Sequence, residues 1–381
     1  KDVQQALAVY SSDELDVDEG GGGGNQILYN KIGTTADGVD AAGNGNDGIA
    51  ILGDSDTNLI EGNFISANTG NGISLTGSDA ATAPDSNTIR GNVIGLGESG
   101  PLGNGGDGIR LDSYGTSNII GEDNRISGNT GNGIRLSNSP HNTVTGNYIG
   151  TDFDGTAAAP NGKDGILVVY DCTGTLIGLP TDTGRNVISG NTGAGVHLSS
   201  LDITGTELRN NLIGLDVSAA AAIPNGDSGV LIDFESHDLS VGDQSLLATY
   251  PNIIAGNLGA GVEFAGISTH DNYVYANFIG CTPSGVAIPN QSHGVWIHET
   301  AFSNAIGADI GDTGNVISGN EGAGVLIEGT GAVTVPWTLA PGESKDLTLI
   351  YTPEDESTTG TQLKLTSNDP SHATTQLSVD G

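Results

Sequence analysis

The chain has 381 residues, with 46 acidic against 11 basic side chains and a formal net charge of −35. That field repels nucleic acid and anionic lipid, and it suits solubility and divalent cations. Aromatic residues make up only 4% while glycine reaches 62, which argues against a core of large rings and for many tight turns. Prolines number 13 and glycine follows no every-third-residue rule, so collagen is excluded.

In chain order, Lys1–Tyr10 sets Val3, Ala6, Leu7 and Tyr10 at helical spacing and predicts a short amphipathic cap. The acidic stretch 13–19 and the glycines at 20–24 read as a joint, so residues 1–24 form a terminal segment. From residue 25 to about 330 one motif recurs, Gly-(Ile/Val)-x-(aliphatic or Phe). It falls at Gly48, Gly72, Gly108, Gly133, Gly165, Gly195, Gly229, Gly261, Gly294 and Gly324, at intervals of 24 to 36 residues. A second motif, Asn-x-(Ile/Val)-x-Gly-Asn-x-Ile-Gly, lies between, as at 87–95 and 142–150, with Ala276 replacing the central glycine in the copy at 272–280.

Two coil types alternate, a long one with a loop, such as 142–168, and a compact one, such as 186–198. Apolar-x-apolar triplets separated by Gly and Asn predict about three short strands per coil, each with alternate side chains inward. The glycines and asparagines are expected at corners that need positive φ. The reading is all-β, a right-handed parallel β-helix of about ten coils, roughly 48 Å long at about 4.8 Å per coil. Buried asparagines are expected to stack into amide ladders.

Beyond residue 331 glycine thins, and strands are predicted at 332–336, 345–351, 361–366 and 374–379. A parallel stack leaves an unpaired edge at each end. A partial β-sandwich over 331–381 would either cap its own helix or be completed by another chain.

The repeats, with runs such as Ile149-Gly-Thr-Asp-Phe-Asp-Gly-Thr156, resemble the parallel β-helix repeat family of the pectate-lyase-like superfamily, closest to the Asn/Gly-rich version of large bacterial surface proteins. The segments 339–344, 351–353 and 367–370 resemble the second half of a hydin-type immunoglobulin-like domain. The resemblance implies a fold that hosts lyases, hydrolases, epimerases and adhesins alike.

For chemistry, Arg110 and Arg135 share an offset in the glycine motif and are expected to neighbour each other outside. Asp112, Asp233 and Glu299 follow the same strand and would line one edge. Asp233 and Glu235 would point the same way if the strand continued, with Tyr170, Phe234 and Trp296 nearby as sugar-stacking surfaces. The signature clusters of polygalacturonases and alginate epimerases are not found; Ser292-His-Gly294 is a fragment of such a pattern. His293 and His298, five apart, are expected to face opposite sides. Cys172 and Cys281 lie too far apart along the axis to bridge. Calcium is the inorganic candidate, with Asp54, Asp56, Asp152 and Asp154 as ligands on turns and no cofactor required.

No catalytic residue is assigned. A start at Lys1 and the lack of Met suggest a processed, secreted chain. No apolar run reaches membrane-span length. The expectation is a structural protein of a prokaryotic cell surface, a fibre subunit or adhesin stalk joined head-to-tail to copies of itself. The alternative is a carbohydrate-active or carbohydrate-binding β-helix acting on extracellular polysaccharide.

Overall fold

The computed structural model describes residues 22–242, 249–307 and 314–329, together with strands at 7–10, 348–350, 362–366 and 374–378. Three parallel sheets wind along one axis. Sheet 1 has twelve strands, running from Leu7–Tyr10 and Ile49–Leu52 through Val325–Glu328 to Thr348–Ile350. Sheet 2 has ten, from Gln26–Leu28 to Ala305–Ile306, and sheet 3 has ten, from Lys31–Ile32 to Val316–Ile317. Each turn of the chain adds one strand to each sheet, so the predicted β-helix is the fold.

The interior is built by period-two alternation. In sheet 3 every inward position is isoleucine, and Ile65, Ile94, Ile126, Ile149, Ile188, Ile213, Ile254 and Ile279 are fully buried. Sheet 1 points Ile49, Ile73, Ile109, Ile134 and their successors at them, in a register that keeps like above like. A β-branched side chain stacked on its copy fills the same rotamer well in each coil.

The corners carry asparagine for a reason other than φ. Asn30, Asn63, Asn92, Asn124, Asn147, Asn186, Asn211, Asn252, Asn277 and Asn315 form an unbroken ladder between sheets 2 and 3. Each Nδ2 donates to the Oδ1 of the next coil at 2.8–3.2 Å. A second unbroken ladder, from Asn44 through Asn68, Asn104, Asn129, Asn161, Asn191, Asn225, Asn257 and Asn290 to Asn320, follows sheet 3 at 2.8–3.0 Å. These asparagines satisfy buried corner backbone, and none of the twenty has positive φ.

The motif glycines are likewise there for space. A Cβ on Gly72 would fall 2.5 Å from Ile94 Cγ2 and 2.6 Å from the Gly108 carbonyl, and its φ is ordinary. Positive φ belongs to the other glycine column, as at Gly62, Gly91 and Gly146, and Ala276 takes the same conformation with φ 56°.

The two coil types are distinguished by short antiparallel arms after sheet 3. They close at Thr34–Ala41, Leu96–Pro101, Thr151–Ala158, Leu215–Ala222 and Cys281–Ala287, on alternate coils. At the start of the chain, the expected helical cap is corrected where it is described. Leu7–Tyr10 is a strand, parallel to Ile49–Leu52. An open sheet edge offers partners to the backbone groups on one side of the strand, where a short isolated helix must bear a costly nucleus. Residues 1–6 lie outside the described residues.

Towards the other end, Thr348–Ile350 extends sheet 1 beside Val325–Glu328, and Gln362–Thr366 pairs antiparallel with Thr374–Ser378. The strand expected at 332–336 lies outside the described residues.

Candidate functional site on the outer face of sheet 1

Of the three parallel sheets, sheet 1 has the longest strands, and its outward positions carry a cluster of histidines and carboxylates. One outward row reads Arg110, Arg135, Leu167, His197, Leu231, Glu263 and Trp296 on successive coils. The row two residues on includes Asp112, Ser137, Ser199 and Asp233.

His197 sits between two carboxylates, Nδ1 at 3.2 Å from Asp164 Oδ2 and Nε2 at 3.2 Å from Asp233 Oδ2. Burial works against a charged imidazole here, but the hydrogen bonds and charges of Asp164 and Asp233 outweigh it and raise the His197 pKa to about 9. Asp233 is held low against its own desolvation by the same contact. The ring is therefore an imidazolium clamp at neutral pH, with both nitrogens occupied.

Further along, Glu263 accepts from His298 Nε2 at 2.9 Å and from the Ser228 hydroxyl. Desolvation would raise its pKa, and these two donors hold it below the usual carboxylate range. Trp296 stacks on His298 with ring centroids 3.9 Å apart and donates Nε1–H to Glu328 at 3.0 Å.

His293 completes the group. Its ring lies 5.7 Å from Trp296, and Nδ1 accepts from the Ala323 amide at 2.9 Å. The expectation that His293 and His298 face opposite sides is therefore corrected. The strand covers only Val295–Ile297, so His293 precedes it on a turn and both rings flank the tryptophan.

Arg110 and Arg135 are register neighbours as expected, and Arg110 is neutralised by Asp112. Asp112 and Asp233 share one outward row but lie four strands apart, about 19 Å. Glu299 falls one position beyond the row, so the three acids do not meet. Asp233 and Glu235 do not point together, because the strand ends at Asp233 and both Phe234 and Glu235 turn into positive φ. Tyr170 and Phe234 occupy equivalent turns two coils apart, 62% and 70% exposed, with φ of 58° and 52°. Trp296 is half-buried under His298 instead.

Among the four aspartates proposed for calcium, Asp152 accepts from the Thr156 and Ala157 amides and so shapes its own arm. Asp56 accepts from the Asp85 amide at 2.7 Å, and burial together with the Asp54 and Asp85 charges raises its pKa. Asp54 shares this turn, and Asp154 lies in the arm of Asp152. Among the described residues, no group of three or more His, Cys, Asp or Glu side chains could hold a metal ion. Cys172 and Cys281 are buried and not joined in a disulfide, and desolvation pushes the Cys172 thiol up to about 12.

Sequence reasoning did not find the Asp164–His197–Asp233 clamp. The three residues lie on three successive coils, and only the spacing of the glycine motif, counted residue by residue, aligns them.

Over residues 9–162 the chain matches the family model described as periplasmic copper-binding protein (NosD). Copper favours imidazole, thiolate and thioether ligands. The matched residues contain one histidine, His141, and no cysteine, and the chain has no Met. The residues present do not fit a copper centre.

The chain is similar to the A-module of mannuronan C-5 epimerase AlgE6 of Azotobacter vinelandii, at 12% identity over 87% of this chain and 92% of that one, with a TM-score of 0.31. The AlgE4 A-module of the same organism gives 13% identity, 87% and 91% coverage and a TM-score of 0.31. Bacteriophage CBA120 tailspike protein 3 gives 8% identity, 84% and 52% coverage and a TM-score of 0.25. A search of curated proteins found no match. Three parallel sheets wound coil upon coil make this chain a parallel β-helix.

Proposed function

We propose that this chain is a non-enzymatic structural rod of a prokaryotic cell envelope, exported from the cytoplasm and working as a stalk or spacer. The observation that carries the reading is the pair of unbroken ten-rung asparagine ladders, which invest buried hydrogen bonding along the whole shaft. The polar groups on the outer face of sheet 1 support it. A general base needs a free lone pair and a pKa near the working pH. His197 offers neither, with both nitrogens bound and its pKa near 9. Glu263 is likewise committed to His298 and Ser228.

The family resemblance is compatible with an envelope location, since the matching model is described as periplasmic. Among the described residues, no helix is long and apolar enough to cross a membrane. Immunogold labelling of producing cells is expected to place the chain outside the cytoplasmic membrane. Incubation with uronate and neutral polysaccharides is expected to release no new reducing ends. Cytoplasmic label, or turnover lost in His197→Gln or Glu263→Gln, would overturn the reading.

A second reading, glycan binding without catalysis, is favoured by one observation. Tyr170 and Phe234 hold large exposed rings in a backbone conformation that costs a non-glycine residue roughly 1–2 kcal/mol. They stand two coils apart, about 9.6 Å, the reach of roughly two sugar rings in an extended chain.

A further inference from the structure

We propose that copies of this chain join end to end in one direction only, with the last coil of one rod donating hydrogen bonds to the first coil of the next. The inference rests on the reading of the chain as a structural rod and adds the chemistry and polarity of the joint.

The ladders are directional. In every step of both, the Nδ2 of one coil donates to the Oδ1 of the following coil, and never the reverse. The first coil therefore ends in acceptors: Asn30 Oδ1 and Asn44 Oδ1 receive no hydrogen bond from any described residue. The last coil ends in donors. Asn315 and Asn320 each use one Nδ2 hydrogen on a carbonyl of the coil before, Val274 and Ile279. The second hydrogen points where an eleventh Oδ1 would sit. Donor face and acceptor face are complementary, whereas two like faces would oppose acceptor to acceptor or donor to donor.

The apolar interior and the backbone end in the same unfinished way. The isoleucine column of sheet 3 is fully buried from Ile65 to Ile279, yet its end members Ile32 and Ile317 are only partly buried. Among the described residues, the strands Lys31–Ile32 and Val316–Ile317 each have a hydrogen-bonded neighbour on one side only, as do Gln26–Leu28 and Ala305–Ile306. A second copy stacked in register supplies an isoleucine to each exposed isoleucine and a strand to each open edge.

Sheet 1 differs, because it runs two strands beyond the others at the C-terminal end. Stacking sheets 2 and 3 without a gap puts Val325–Glu328 of one copy level with Leu7–Tyr10 of the next. The joint therefore needs Val325–Glu328 to take over the edge of Ile49–Leu52 now held by Leu7–Tyr10, and needs Thr348–Ile350 to move aside. In the single molecule these two terminal strands cover the ends of sheet 1 and slow joining.

The test uses the 381-residue chain. Sedimentation velocity and negative-stain microscopy are run across protein concentration at 0.01 M and 0.5 M salt, because the net charge of −35 opposes contact until it is screened. Rods are expected to lengthen in whole multiples as both rise. Two variants then fix the polarity. Ile317→Lys places an ammonium inside the C-terminal face and Ile32→Lys inside the N-terminal face, where each still reaches water in the single molecule.

Each variant alone is expected to remain a single rod, with its melting temperature close to that of the parent. Mixed, they are expected to form a two-rod species that grows no further, because each keeps the face the other lacks. Self-dimers of either variant alone would show joining of like faces and overturn the polarity. Single rods of the parent chain at every concentration and salt would overturn the joining and leave the rod reading standing. Compact particles in place of rods would overturn both.

Discussion

At the scale of single residues, the His197 clamp makes the protein's stability depend on pH above neutrality. Its imidazole has a pKa of about 9 when folded against an ordinary 6.5, so the folded state holds the proton more tightly. Stability from this group is complete below about pH 6.5 and is lost as pH rises through about 9. A shift of that size corresponds to on the order of 3–4 kcal/mol. Urea unfolding of the parent and His197→Gln at pH 6 and pH 9 is expected to show a decline in the parent that the variant lacks. Parallel declines would mean that the clamp is not the titrating group. The partners themselves were hidden in the sequence, where Asp164, His197 and Asp233 stand 33 and 36 residues apart. The glycine motif was visible, but its cause was not. Period alone cannot distinguish a glycine needed for positive φ from one like Gly72, needed because Ile94 and the Gly108 carbonyl leave no room for a Cβ.

At the scale of the element, the ladders rather than the strands set how much each coil tolerates. Many strands of sheets 2 and 3 are only two or three residues long, too short to hold alone. Asn124 shows what the corners contribute. Its Nδ2 donates to Ile89 O at 2.9 Å, Gly121 O at 2.9 Å and Asn147 Oδ1 at 2.8 Å, in a fully buried place. Asn124→Ala leaves those acceptors, and the Asn92 amide below, without their partner in the dry interior. The expected cost is roughly 3–4 kcal/mol, because each buried unsatisfied group costs about 1–3 kcal/mol. Asn30→Ala, at the exposed end of the same ladder, is expected to cost about 1 kcal/mol or less, since water replaces the amide. Chemical denaturation of the two variants measures the contrast, and equal losses would contradict a ladder whose value comes from burial. The stacking and the alternation of coil types were legible, because Asn and the glycine-isoleucine pair recur at matching offsets. The alternate arms such as Thr151–Ala158 appeared only as loops, since an isolated antiparallel bridge has no periodic signature. At Leu7–Tyr10 helical spacing of apolar residues misled, because a neighbouring sheet edge can override local pattern over four residues.

At the scale of the whole molecule, two electrostatic effects oppose one another and their sizes decide the outcome. Local ion pairs such as Arg90–Glu61 and Arg209–Glu207 lie on the surface, where each contributes about 0–1 kcal/mol and is weakened by salt. Against them stands the repulsion of a chain with 46 acidic and 11 basic residues, spread along a rod that holds coils about 4.8 Å apart. Acids on successive coils fall within the Debye length of roughly 10 Å at 0.1 M salt, so each carboxylate feels several others at low ionic strength. With 46 acids against 11 basic residues, most of the acids cannot be matched by a lysine or arginine of their own. Unfolding lets the charges separate, so screening stabilises the folded rod more than it weakens the pairs. The melting temperature at pH 7 is therefore expected to rise between 0.01 M and 0.5 M sodium chloride, followed by circular dichroism at a concentration where single rods prevail. A melting temperature that fell with salt would mean that the local pairs and the His197 clamp outweigh the field of the whole molecule.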